Sequence, residues 1–138
     1  MNARDAGNAS LEFIGVAVIL MIPLVYGIIA LSQLQSAVFG VNGAAQMAAR
    51  AYANASTDST GRYAAWRSAY LAGRNHGLYI TSDQVSVTCD LANCLTPGAS
   101  VRVLVRTTAH VGVPLFSGNL PLHASHVFVM DPYRQAPA

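Results

Sequence analysis

Glu12-Phe13-Ile14-Gly15-Val16-Ala17-Val18-Ile19-Leu20-Met21-Ile22-Pro23-Leu24-Val25-Tyr26-Gly27-Ile28-Ile29-Ala30-Leu31 is the stretch on which the fold turns. From Phe13 to Leu31 it carries no charge. Wound as a helix at about 1.5 Å per residue, that run spans roughly 28 Å, close to the hydrocarbon thickness of a bilayer. Isoleucine, leucine and valine predominate, and Gly15, Gly27 and Pro23 are residues that lipid-embedded helices admit. A core helix apolar on every face needs a large soluble domain around it. Only about 100 residues follow. The sequence therefore predicts a single membrane span.

Composition agrees with one membrane helix and one small domain: 138 residues, of which 53% are hydrophobic and 10% charged. Past Leu31 the chain can bury a modest core, but it is too short for a spacious catalytic cleft. The net charge is +2, from eight arginines and no lysine against six acids, and these charges are scattered. No nucleic-acid partner is expected from such a distribution.

Working outward toward the amino terminus, Met1 to Gly7 is short and polar and carries Arg4 and Asp5. No Ala-x-Ala-like site follows the apolar run, so this is not the layout of an ordinary secretory signal. Arg4 flanks one side of the span, and the other side has no arginine before Arg50. The positive-inside rule then puts the amino terminus in the cytoplasm and the remainder outside. Glu12 stands at the membrane edge, where a carboxylate is costly. Two readings account for it. The helix dipole favours an acid in the first turn, wetted by headgroups; alternatively, a free amine of a neighbouring subunit neutralises it when helices stack laterally. Within the span, Pro23 is expected to kink the helix or loosen a hydrogen bond near Ile19, which lipid-embedded helices tolerate.

On the other side, Leu34, Val38, Val41, Ala45, Ala48 and Tyr52 recur at spacings of four and three, an apolar seam on one helical face. Ser32, Gln33, Gln35, Asn42, Gln46 and Arg50 occupy polar positions elsewhere. The helix is therefore expected to continue to about Asn54, lipid-embedded over 8–31 and amphipathic over 32–54. Its small residues, Gly40, Gly43, Ala44, Ala45, Ala48 and Ala49, permit close approach of a helix or a sheet. Asn54 to Gly61 reads as a linker of cap and turn residues, with Asp58, Ser59 or Thr60 capping a second helix from about Arg62 to Asn75, ended by His76-Gly77. Tyr63, Trp66 and Tyr70 fall at helical spacing there and are read as core, with Trp66 at the membrane interface as the alternative.

From Leu78 the period changes to two. Val85 to Asp90 and Val101 to Thr107 alternate and read as neighbouring strands, joined by Leu91 to Ser100 with the Pro97-Gly98 turn. Val111 to Val113 extend the second strand, a Gly- and Pro-containing loop is expected over Pro114 to Pro121, and a third strand over Leu122 to Met130. The fold class is thus α+β, over residues 55–138 an extracytoplasmic domain with a small antiparallel sheet of three or four strands. Cys89 and Cys94 form a disulfide if that domain lies outside the cytoplasm, and stay reduced thiols if it lies within.

Sites for chemistry are few. CxxxxC is too sparse for zinc. His123 and His126 differ by three and point to opposite faces of a strand, and His76 and His110 have no neighbouring ligand set. No GxSxG, HExxH or phosphate-loop pattern is present. No cofactor, metal or enzymatic activity is expected, and Arg102 and Arg106 read as solvated surface.

Gly7-Asn8-Ala9-Ser10-Leu11-Glu12-Phe13, with the span directly behind it, resembles the type III signal of type IV pilin-like proteins. Together with Gly43-Ala44-Ala45-Gln46-Met47-Ala48-Ala49-Arg50-Ala51 and the closing Ala124-Ser125-His126-Val127-Phe128-Val129-Met130-Asp131-Pro132-Tyr133-Arg134, the layout resembles the TadE-like family of minor pilins of tight-adherence pilus systems. The resemblance implies a leader of residues 1–7, cut after Gly7 by a prepilin peptidase so that Asn8 becomes the amino terminus. Glu12 and Phe13 would then serve assembly and recognition; Phe13 stands where the small major pilins of these systems have tyrosine. It further implies membrane lipid, prepilin peptidase and other pilins or pilus-assembly proteins as partners. The rival expectation is a single-pass membrane accessory or binding protein that never polymerises.

Overall fold

The computed structural model describes residues 3–135, with side-chain surroundings from residue 8 onward. Helix α1 (Ala3–Ala53) is followed by helix α2 (Asp58–Arg74), a single 3-10 turn (Ser82–Gln84), and strands β1 (Val85–Cys89), β2 (Ser100–Val113) and β3 (Phe116–Val129). The fold is α+β, and the sheet has three antiparallel strands in the order β1-β2-β3.

At 51 residues α1 is about 76 Å long, and it runs unbroken through Pro23. Its two halves differ in what surrounds them. From Asn8 to Leu31 the side chains are exposed, or half-buried at Ala17, Tyr26 and Ala30, whereas from Ala37 onward one face is covered by the rest of the protein. The covered face is Ala37, Val41, Ala44, Ala45, Ala48, Ala49 and Tyr52. Val41, Ala45, Ala48 and Tyr52 of the expected seam are on it, and the departure is at its start, where Val38 is 39% exposed and Ala37 only 4%. The alanines win these positions because α2 and the sheet both press on this face, and a methyl group is what the close approach allows.

Helix α2 begins at Asp58, four residues ahead of the expected start, because the cap is Thr57 rather than Asp58, Ser59 or Thr60. The Thr57 hydroxyl accepts from the Thr60 N–H, and the Thr60 hydroxyl accepts in return from the Thr57 N–H, each at 3.3 Å. Reciprocal capping of this kind contributes about 0.5–2 kcal/mol. At the other end Gly77, with φ +71°, lets the Leu78 N–H return to the Gly73 carbonyl at 3.0 Å. The buried face of α2 is Gly61, Ala65, Ala69 and Gly73. The aromatic stripe expected in the core is half-buried or exposed instead: Tyr63 and Trp66 meet edge to face beside it, and the Trp66 Nε1–H donates to the Ile80 carbonyl at 3.1 Å. Small residues take the core face because helix meets helix there. At Gly61 an added Cβ would sit 2.9 Å from the Tyr52 ring.

The sheet lies against the alanine face of α1. Val101, Val103, Val105, Thr107, Ala109 and Val111 of β2 are buried, while Arg102, Arg106, Thr108 and His110 point away. Opposite them on β3, Phe128, His126, Ala124 and Leu122 share the inner face, and His123 pairs with Arg106 on the outer one. His123 and His126 therefore do lie on opposite faces. The expected loop over Pro114 to Pro121 is mostly strand. β2 runs on to Val113, only Pro114 and Leu115 turn the chain, and β3 starts at Phe116. Pro121 is accommodated because β3 is an edge strand, which has a side with no hydrogen-bonding partner. The result is a hairpin of two 14-residue strands, each on the order of 48 Å long.

Two further links close the domain. Cys89 and Cys94 are joined by a disulfide across the β1–β2 connection. The Arg134 guanidinium donates to the carbonyls of Ala53 and Ala55, satisfying the open end of α1 with a cation.

Candidate functional site

The surface that stands out is the first part of α1. Among the described residues it is the one helix long and apolar enough to cross a membrane, and none of its most apolar stretch is covered by the rest of the chain. Phe13 is 75% exposed, and Ile14, Ile19, Leu20, Leu24, Ile28 and Leu31 are exposed with it, on every side of the helix. In water such a rod would present far more apolar area than soluble proteins leave open. Lipid or other apolar helices are the surroundings that suit it.

Glu12 is exposed at the edge of this rod, next to Phe13. Asn8 lies one turn earlier on the same face, because residues four apart stack along a helix. An amine at Asn8 would thus lie near the chain's own Glu12. The backbone at Gly7 and Asn8 belongs to α1. Met1 and Asn2 of the expected leader lie outside the described residues. A peptidase takes its substrate in extended form, so cutting after Gly7 requires the first turns of α1 to open. Those turns are the weakest of the helix, since their first four N–H groups have no partner within it.

The covered half of α1 carries a polar cluster that ties both helices to the sheet. Tyr52 is fully buried and donates its hydroxyl hydrogen to Asp58 Oδ1, while Arg62 Nε donates to Asp58 Oδ2 at 2.8 Å. A second Arg62 nitrogen reaches the Val87 carbonyl on β1 at 3.3 Å. Burial, and then the neighbouring Asp58 carboxylate, raise the Tyr52 phenol well above its ordinary range. The Asp58 carboxyl is held below its usual range, chiefly by Arg62 and next by Tyr52. Asp58 and Arg62 border an open depression against Asn93 and Cys94. With each polar group already engaged, the cluster serves as a brace.

The remaining candidates do not converge. Cys89 and Cys94 are consumed by their disulfide. Among the described residues no three of His, Cys, Asp and Glu come together as metal ligands.

One functional contact escaped the sequence reading. The Gln33 side-chain amide, two residues past the apolar run, bonds the main chain of Gly112 twice: Nε2 donates to the carbonyl at 3.1 Å and Oε1 accepts from the N–H at 3.0 Å. It fixes the far end of the β2–β3 hairpin beside the carboxyl end of the apolar run. The only sequence signal was a glutamine just past the apolar run. No protein-family model, curated protein or solved structure matches this chain.

Proposed function

We propose that this chain is a pilin-like subunit of the TadE-like minor pilin type, anchored in the cytoplasmic membrane by Phe13–Leu31 with its α+β domain outside. The observation that carries the reading is a rod uncharged from Phe13 to Leu31 and bare on every face. It begins directly after Glu12, at the fifth residue past Gly7. Such a rod has two suitable environments, lipid before assembly and the helices of neighbouring subunits after it. In this reading the prepilin peptidase cuts after Gly7, and Glu12 is neutralised by the amine that the cut creates on Asn8. Other pilins or pilus-assembly proteins then take lipid's place around α1 in a surface filament that serves adhesion. The subunit acts as a structural part and catalyses nothing.

A second reading, a single-pass accessory or binding protein that never polymerises, draws on the helical backbone through Gly7 and Asn8, which keeps the bond to be cut inside a folded helix. Mass spectrometry of protein extracted from membranes separates the two. In cells with an active prepilin peptidase, the pilin reading expects Asn8 as the amino-terminal residue. An intact Met1 in those cells favours the second reading.

A further inference from the structure

The β2–β3 hairpin ends in a bare apolar tip beside the point where α1 leaves the proposed membrane span. β2 begins near the carboxyl end of α1, where Ala99 receives the Met130 N–H and Arg134 caps Ala53. It finishes near Gln33, whose amide grips Gly112. The hairpin therefore runs back along α1 toward the span. From Gly112 to the turn, two to three further residues carry the tip on the order of 6 Å in that direction, with strand tilt allowed for. Leu31, the last residue of the apolar run, is only about 3 Å below Gln33 along the helix.

What the tip presents matches that position. Leu115 is 87% exposed and Phe116 72% exposed. No charged residue occurs from Val111 to Leu122. An exposed aliphatic side chain on the turn and an exposed aromatic at the first residue of β3 are awkward in water, but they are what interfacial segments push among headgroups and upper acyl chains. Pro114 leaves no N–H to be stripped of water in the turn.

We propose that Pro114, Leu115 and Phe116 form a second membrane contact, dipping into the outer face of the bilayer that α1 spans. The claim rests on the reading of Phe13–Leu31 as lipid-embedded and extends it. With two points of attachment the domain cannot swivel freely about α1, so its sheet keeps one orientation to the membrane plane until the subunit leaves lipid. The gripping amide of Gln33 is what holds the tip at the right height.

The test uses the full chain reconstituted into phosphatidylcholine vesicles, with Leu115→Trp made both in the native background and with Trp66→Phe. Flotation first reports whether the chain is in the membrane. Emission from the new tryptophan, with and without lipids brominated on the upper acyl chain, then reports where the tip is. The expected result is flotation together with blue-shifted emission, at least twofold quenching by brominated lipid, and shielding from acrylamide. Flotation with a water-like spectrum and no quenching by brominated lipid overturns the tip contact and leaves the span standing. A blue shift without brominated-lipid quenching, growing with protein density, also overturns it, since the tip then packs on a second copy. Failure to float overturns both.

Discussion

The Tyr52 hydroxyl, fully buried at the end of α1, donates to the carboxylate of Asp58, the first residue of α2. The turn between the helices is thus locked by a side-chain bond across six positions. Tyr52→Phe removes it and is expected to cost about 1 kcal/mol, discounted because Asp58 is half-exposed and keeps Arg62. For a domain of this size the midpoint falls by roughly 4–8 °C. Thermal unfolding of Tyr52→Phe, Asp58→Asn and the double variant, in matched detergent, gives the coupling between them.

The pH dependence follows from the same pair. Asp58 titrates below its ordinary value in the folded protein, so its stabilisation is present above an ordinary aspartate pKa of about 4 and is lost as pH falls below that. The gap between wild type and Asp58→Asn should close in that acid range. Tyr52 titrates above its ordinary value, so its contribution is full below about pH 10 and fades as pH rises past that. Alkaline destabilisation should be weaker in Tyr52→Phe. Unfolding midpoints at about pH 3, 7 and 11, the outer two about a unit beyond the ordinary values, would show both trends.

Two glycine-to-alanine changes should move stability in opposite directions. Gly61→Ala places a methyl 2.9 Å from the Tyr52 ring, an overpacking cost of about 1–3 kcal/mol that outweighs the gain in helix propensity. Gly43→Ala meets nothing within 4 Å and should stabilise by up to about 1 kcal/mol. Equal effects in denaturant titrations would contradict the placement of α2 on Tyr52.

Thr107 is buried on the inner face of β2, and its hydroxyl has no hydrogen-bond partner. Thr107→Val keeps the shape and removes the stranded polar group, with an expected gain of about 1 kcal/mol. A loss of stability in chemical denaturation would mean that the hydroxyl is bonded in solution.

How much of this was legible follows the physics of each signal. The long apolar helix was plain because an uncharged run of that length has few alternatives, and the period-two stretches around Val87 and Val103 marked two strands directly. The continuation of β3 through Phe116–Pro121 was hidden. Its turn, Pro114-Leu115, lacks the Asn-Gly type of signature, and Gly118 and Pro121 look like loop residues until an edge strand is known to hold them. The buried face of α2 was missed because bulk was taken for burial at Tyr63, Trp66 and Tyr70. Helix-to-helix contact selected Gly61, Ala65, Ala69 and Gly73 instead. The Gln33 grip on Gly112 joins residues 79 apart, which local patterning does not reach.

The Cys89–Cys94 disulfide closes a short loop beside buried Leu95. Replacing both cysteines by serine should cost about 2 kcal/mol on the chain-entropy estimate for so short a loop. In cells, modification of the thiols by a maleimide reagent only after reduction would show that the bond forms in an oxidising compartment. Free thiols on extraction would put the domain on the cytoplasmic side.

The central claim is that Phe13–Leu31 lies in lipid, and extraction of the full chain from cell membranes tests it most directly. Membranes washed in alkaline carbonate and floated on a density gradient should retain the protein and release it only into detergent. A chain that comes away in the wash, and stays monodisperse in detergent-free buffer with α1 shielded from proteases, would contradict the account.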